Sequence, residues 1–220
     1  MSVLVVGGAS GIGAAVVERM RQSGEQVDVL DLSLGVDAAD PAAVAGFLEE
    51  ISPPTRLVHV AGVVGHGGIE DIDLEEWERV IRANLTSAYV VTRAVMPLIA
   101  QQGGGSAVLM SSVNARDGGT TLSGAAYASA KAGVLGLMRH LAVHWAERSV
   151  RVNAIAPGPV RTAMHDRLDD EQREWLMRRI PLQRVTEPVE IADMIHFLLS
   201  DSCASVTGTT FDVNGGSHLS

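Results

Sequence analysis

Short apolar runs alternate with helical stripes along most of the chain. Residues 2–6, Ser-Val-Leu-Val-Val, are apolar and rich in β-branched side chains, as in a strand buried on both faces. Residues 14–21 follow at helical spacing. The same reading predicts strands at 2–6, 27–31, 56–60, 106–111, 150–156 and 209–213. It predicts helices at 12–22, 41–51, 74–101 with a break near Asn84, 124–147, 164–178 and 187–200. Gly103, Gly104 and Gly105 stop a helix before a strand and do not mark a domain boundary. Alternation of this kind implies an α/β fold with a parallel sheet covered by helices on both faces. No internal repeat, long linker or low-complexity tract interrupts it, so 1–220 reads as one domain.

The first strand runs into Gly7-Gly-Ala-Ser-Gly-Ile-Gly13, and a helix follows. Strand, glycine-rich turn and helix in that order form a dinucleotide cradle of Rossmann type. Its glycines let the backbone approach a pyrophosphate, which rests on the N–H groups of the helix start. The spacing is G-x-x-x-G-x-G, not G-x-G-x-x-G. The second strand ends in Asp31. A carboxylate there can bond both ribose hydroxyls and repels a 2′-phosphate. Ser10 before Gly11, and Leu32 and Ser33 after the acid, offer no compensating cation in the loop. NAD is therefore expected over NADP. A solvated loop acid is the alternative reading of Asp31.

Tyr127 and Lys131 are four apart in Tyr-Ala-Ser-Ala-Lys, so they share one helix face. A phenol is a poor base at neutral pH, with an ordinary pKa of about 10. A fixed ammonium one turn away stabilises the phenolate and draws that pKa toward the working range. Such a tyrosine can take a proton from an alcohol or give one to a carbonyl oxygen. By itself the pair fits a surface Tyr and Lys equally well.

With these segments in order, nearly the whole chain resembles the short-chain dehydrogenase/reductase family. The resemblance implies a cofactor loop at Gly7, Ser10, Gly11, Ile12 and Gly13, with Asp31, Leu32, Asp37 and Ala38 around the adenosine half. It implies that Ala61-Gly62 closes a cofactor turn. Pro157, Gly158, Val160 and Thr162 would lie beside the nicotinamide, with the Thr162 hydroxyl on its carboxamide. It implies a catalytic tetrad of Asn84, Ser112, Tyr127 and Lys131, with Tyr127 and Lys131 also touching the cofactor. The segment 206–216 resembles the family's last strand.

The chain departs from the family pattern in several places. Val6 stands where a Thr is usual, and His59-Val60 replaces two Asn residues, so the turn at 59–62 must be held by other bonds. Only five residues separate Asp31 from Asp37, which predicts a deleted helix and a vestigial third strand, hence six to seven strands. The segment 113–124 is about two residues longer than usual and is expected to bulge over the substrate. Asn214 replaces an Asp.

Composition narrows the function further. The chain is 46% hydrophobic but 4% aromatic, so its core is mainly aliphatic. A formal net charge of −9 argues against nucleic-acid or anionic-membrane partners. No apolar run reaches spanning length, and the start has no basic-then-apolar signal. The single Cys203 fits a reducing cytoplasm. His140 and His144 are four apart, but no third ligand accompanies them, so no metal is expected. His66 and His165 read as solvated loop residues that are also within reach of substrate. Residues 163–186 read as a lid, with Val113, Met164, Leu168 and Trp175 as candidate substrate contacts. A largely uncharged small or medium substrate is expected from that apolar lid.

The sequence thus predicts an NAD-dependent oxidoreductase acting on a secondary alcohol or ketone. Tyr127 would exchange the proton, Ser112 would orient the oxygen, Lys131 would lower the Tyr pKa and bond the nicotinamide ribose, and Asn84 would position a water. Three alternatives stand beside it. One is a lyase like the halohydrin dehalogenases, disfavoured by Lys131 and the loop glycines. Another is an NAD-binding sensor or scaffold. The third is a 3-ketoacyl reductase, which would want NADPH and a basic docking surface. The resemblance also implies a homo-oligomer, a tetramer or dimer, with Ala128, Ala132 and Gly136 as a close-packing helix face.

Overall fold

The computed structural model describes residues 1–219. Six parallel strands form one sheet: β1 (Ser2–Val6), β2 (Gln26–Leu30), β3 (Arg56–His59), β4 (Gly105–Met110), β5 (Val150–Pro157) and β6 (Thr210–Val213), in the order β2-β1-β3-β4-β5-β6. The order reverses at β1, whose neighbours are β2 on one side and β3 on the other. Such a reversal opens a crevice above the carboxyl ends of the strands.

No third strand remains between β2 and β3. Residues Leu32–Leu34 form a 3₁₀ turn capped by Asp31, and one helix, α2 (Pro41–Glu49), returns the chain to the sheet. The sheet therefore has six strands, at the lower end of the expected range.

Alternation within each strand divides the core in two. Leu4, Val6, Leu57 and Leu109 face α4 (Ser87–Gln101) and α6 (Ala125–Trp145), where Val91, Val95, Val134 and Met138 cover them. Val3, Val5, Val58 and Val108 face α1 (Gly11–Gln22) and α9 (Pro188–Leu199), where Val16, Met20, Ile191 and Ile195 pack. Cys203 is buried on that second side. The helices between these are α3 (Leu74–Ile81), the one-turn α5 (Asn114–Asp117), α7 (Ala163–Asp166) and α8 (Asp170–Arg178). No helix among the described residues is long and apolar enough to cross a membrane.

Two local expectations need correction, those for 164–178 and for Ala128. The long helix expected at 164–178 is two helices, because Asp169 starts a new one. The Asp169 carboxylate accepts from the Gln172 N–H at 2.8 Å, and the Gln172 side chain accepts from the Asp169 N–H at 3.1 Å. This reciprocal cap contributes about 1 kcal/mol to α8. The loop 113–124 holds the one-turn α5, and Arg116 faces Asp212 of β6 at 3.3 Å. Finally, Ala128 is buried within the protein, whereas Ala132 and Gly136 lie open on α6.

Candidate functional site

A cleft of about 560 Å³ lies across the carboxyl ends of the strands. Every residue expected at the cofactor, catalytic and substrate positions lines it. The first turn of α1 borders it, starting at Ser10 in extended conformation. No side chain caps that helix start and no acid occupies its first turn, so its N–H groups are free for an anion. The glycines there are steric necessities. A Cβ on Gly13 would lie 1.9 Å from the Gly7 carbonyl oxygen, and Gly7 itself, at φ +83°, would bring one within 2.6 Å of the Ala61 backbone. These features fit a dinucleotide pyrophosphate.

Asp31 lines the cleft beside this loop. Its carboxylate accepts from the Ala9 N–H at 3.0 Å, the Ser33 N–H at 2.9 Å and the Ser33 hydroxyl at 2.7 Å. Partial burial pushes its pKa up, but these bonds outweigh that and hold it below the ordinary carboxylate range. It is therefore ionised at neutral pH. The loop lacks a cation, as expected, yet one reaches this end from elsewhere. Arg82 donates to Asp37 at 2.7 Å from the π turn Arg82–Thr86 between α3 and α4.

The missing family Asn and Thr side chains are replaced by main chain. The Val6 carbonyl accepts from both Val60 N–H, at 2.9 Å, and Ala61 N–H, at 3.0 Å. The turn is thus stitched to the end of β1 whatever side chain stands at 6, 59 or 60. His59 points into the α4/α6 face and is 2% exposed, and its Nε2 has no partner among the described residues. Burial, reinforced by the Lys131 charge, pulls its pKa down to about 3 despite an opposing bond with its own backbone. It is neutral at working pH.

The four catalytic candidates line the same cleft. Asn84 sits in the π turn, where the wider helical loop turns its side chain inward. Its Nδ2 donates to the carbonyls of Val63 and Val80, each at 2.8 Å, and its Oδ1 is buried without a partner. A Cβ on Gly62 would lie 2.2 Å from that Oδ1 and 3.3 Å from Lys131 Nζ, so the absence of a side chain at 62 brings these groups together. Lys131 Nζ donates to the Met110 carbonyl at 3.0 Å and lies 5.6 Å from the centre of the Tyr127 ring. Ser111, not singled out by the sequence, donates to the Lys131 carbonyl at 2.9 Å and pins α6 to β4. Ser112 Oγ accepts from the Asn114 N–H at 3.2 Å.

The electrostatics differ from the expectation. Burial raises the Tyr127 pKa, and the pull in the other direction comes from the Ser112 hydroxyl and the Arg167 charge. Burial also lowers Lys131 to about 8. The ammonium is 5.6 Å from the ring centre and bonded to a carbonyl, so its effect on the phenol is indirect.

The remaining sequence candidates separate. Thr162 starts α7, with its hydroxyl 3.4 Å from the Val160 carbonyl. His165 lines the cleft, whereas His66 is exposed and faces Glu76 at 3.4 Å. His140 and His144 stack on an exposed face, ring centres 5.7 Å apart. Asn214 closes the last turn by accepting from Gly216 N–H at 2.8 Å and donating to the His218 carbonyl at 3.0 Å. Arg167, Arg179, Asp117 and Leu122 also line the cleft without having been predicted. Trp175 and Arg179 are one helical turn apart, which was the available signal for the second arginine.

Comparison with known proteins decides the family. The profile described as Enoyl-(Acyl carrier protein) reductase matches residues 34–218. An uncharacterised short-chain type dehydrogenase/reductase from Sinorhizobium fredii is 33% identical, over 98% of this chain and 96% of its own length. The chain belongs to the short-chain dehydrogenase/reductase family. A 2-(S)-hydroxypropyl-CoM dehydrogenase from Xanthobacter autotrophicus is 32% identical, over 97% of this chain and 95% of its own. The 3-oxoacyl-[acyl-carrier-protein] reductase of Escherichia coli is 33% identical, over 98% and 96%. Among solved structures, a 3-oxoacyl-[acyl-carrier protein] reductase from Brucella melitensis with bound NAD superposes with a TM-score of 0.91 at 28% identity, covering 100% of this chain and 91% of that one. As a member of this family the protein is a hydride-transferring oxidoreductase with a nicotinamide cofactor.

Proposed function

We propose that the protein interconverts a secondary alcohol and its ketone with NAD(H), using Tyr127 as the acid and base. The observation that carries this is the wall of Ser112, Tyr127 and Lys131 facing one cleft with the glycine cradle and an ionised Asp31. A bound nicotinamide would supply or accept the hydride. In reduction Tyr127 gives its proton to the carbonyl oxygen, which Ser112 orients by donating to it. The raised phenol pKa suits a group that must hold a proton until the substrate oxygen gains charge. Lys131 binds the nicotinamide ribose and passes protons onward beside Asn84, whose orphan Oδ1 suits a bridging water.

Asp31 carries the preference for NADH. An ionised carboxylate repels a 2′-phosphate, while its remaining lone pairs accept ribose hydroxyls. The structural relative that holds NAD supports this reading. Residues 163–186, which follow the nicotinamide turn, act as the substrate lid within one catalytic domain. Exposed Tyr89 on α4 and Val143 on α6 support a homo-oligomer built through those helices.

Fluorescence titration with NADH and NADPH tests the cofactor reading. NADH is expected to bind at least about tenfold more tightly, a difference of about 1.4 kcal/mol. Asp31→Ala is expected to erase most of that difference. Tighter NADPH binding by the unaltered protein would overturn it and favour the 3-ketoacyl alternative.

A further inference from the structure

We infer that the substrate carries a small anionic group, a carboxylate in the first instance, received by Arg167 and Arg179 on the lid side of the cleft. The inference rests on the oxidoreductase reading above and replaces the uncharged substrate expected from the apolar lid. It makes the substrate a hydroxy acid and the corresponding oxo acid.

The arginines of this region fall into two groups. Residues 161–190 contain six. Four are not part of the cleft lining and each pairs with a carboxylate: Arg161 with Glu187 at 2.7 Å, Arg173 with Asp170 at 3.0 Å, Arg178 with Glu174 at 2.7 Å and Arg184 with Glu190 at 2.7 Å. The two that line the cleft are treated differently. Arg167 bonds two carbonyls, those of Leu122 and Met164, and has no ion-pair partner among the described residues. Arg179 has Asp117 at 3.9 Å, beyond a direct hydrogen bond. Two cleft-lining arginines without a close acid mark a place where the negative charge arrives with the ligand.

Both side chains are held ready. The carbonyls of Leu122 and Met164 tether the Arg167 fork. The Arg179 guanidinium lies 4.7 Å over the Trp175 ring, and a stacked guanidinium keeps its donor edge free for a planar oxyanion. Asp117 competes for Arg179, but at 3.9 Å it is a weaker partner than a ligand accepting two parallel N–H bonds. The cleft lining also includes the apolar side chains of Leu122, Met164, Leu168, Leu176 and Ile180. A short apolar stem carrying an oxo group for Tyr127 and an acid for the arginines suits this lining.

The reaction balances without further reagents. The carbonyl carbon gains a hydride from the reduced nicotinamide as the carbon–oxygen π bond opens, and the oxygen takes the Tyr127 proton. The oxo acid leaves as a hydroxy acid, the nicotinamide is oxidised, and Tyr127 recovers a proton from solvent through Lys131. The carboxylate stays ionised throughout.

The test is steady-state reduction by the full chain with NADH, comparing acetoacetate and levulinate each with its methyl ester, and cyclohexanone as a neutral ketone. The acids are expected to exceed their esters in kcat/KM by about tenfold or more. Arg167→Gln and Arg179→Gln are each expected to lower that acid-to-ester ratio about tenfold, mainly through KM for the acid. Esters or cyclohexanone reduced as well as the acids would overturn the inference and leave the oxidoreductase reading standing. So would variants that slow acid and ester alike. If no ketone is reduced, the oxidoreductase reading fails instead. Calorimetric titration of levulinate into the NADH-saturated protein then decides the anion site. Binding that weakens in Arg179→Gln supports it, and the absence of binding overturns it.

Discussion

Lys131 donates an ammonium N–H to the carbonyl of Met110 at 3.0 Å, which fixes the side chain to the end of β4, 5.6 Å from the centre of the Tyr127 ring. This bond makes the ammonium part of the sheet. Burial brings its pKa down to about 8, so it is charged below that pH in the free enzyme and neutral above it. Ketone reduction needs a protonated Tyr127 and gains from the nearby positive charge. We therefore predict that kcat/KM for reduction falls as pH rises through about 8. Lys131→Arg keeps its charge at all these pH values, so its plateau should drop while the fall moves to higher pH. A pH–rate profile of both proteins reads this. An unmoved alkaline limb in the arginine variant would assign it to another group.

His59 predicts a specific acid sensitivity. Its folded pKa is about 3 against an ordinary 6.5. Above about 6.5 neither state is protonated and its contribution to stability is intact. As pH falls from there toward about 3, the unfolded chain binds a proton that the folded chain refuses. Each pH unit in that window costs about 1.4 kcal/mol. Asp31, Asp37 and Glu76 are held low and weaken the fold in acid too, so a paired variant is needed. In urea unfolding at pH 7 and pH 5, His59→Asn should lose about 2 kcal/mol less than the unaltered protein on acidification. Equal losses would show that His59 is not the residue responsible.

Gly13 predicts a loop that tolerates no side chain. Its Cβ position lies 1.9 Å from a backbone carbonyl that cannot swing aside. Gly13→Ala should therefore destabilise the protein by about 1–3 kcal/mol and weaken NADH binding at least about tenfold. Gly46→Ala is the control, because nothing lies within 4 Å of its Cβ position. Thermal unfolding and NADH titration of both variants check this, and a Gly13→Ala protein binding normally would contradict the cradle.

Much of this was legible in the chain, for reasons that differ by position. The order of strands and helices follows from burial on both faces, which leaves unbroken apolar runs such as Val3–Val6. The glycine loop and the Tyr127/Lys131 pair are local patterns, so residue spacing alone brings them near the site. The break at 167–169 was missed because the apolar stripe continues across it while the Asp169 cap interrupts the helix. The cleft role of Arg167 and Arg179 was hidden because nothing in a stretch dense with arginines and acids says which arginines find partners. That depends on how α7 and α8 turn over the sheet. The Tyr127 pKa was misjudged because spacing shows a neighbouring charge but not the burial that opposes it. His59 read as a substitution in a turn, and only the α4/α6 packing reveals a buried neutral base.

The central claim is that Tyr127 supplies the proton for hydride transfer. It is tested most directly by mixing NADH-saturated protein with an excess of reducible ketone and following loss of the reduced nicotinamide over one turnover, for the unaltered protein and Tyr127→Phe. The account predicts that the phenylalanine variant binds NADH within a few-fold of the original and transfers hydride at least about a thousandfold more slowly. A variant that keeps more than about a tenth of the rate would contradict it.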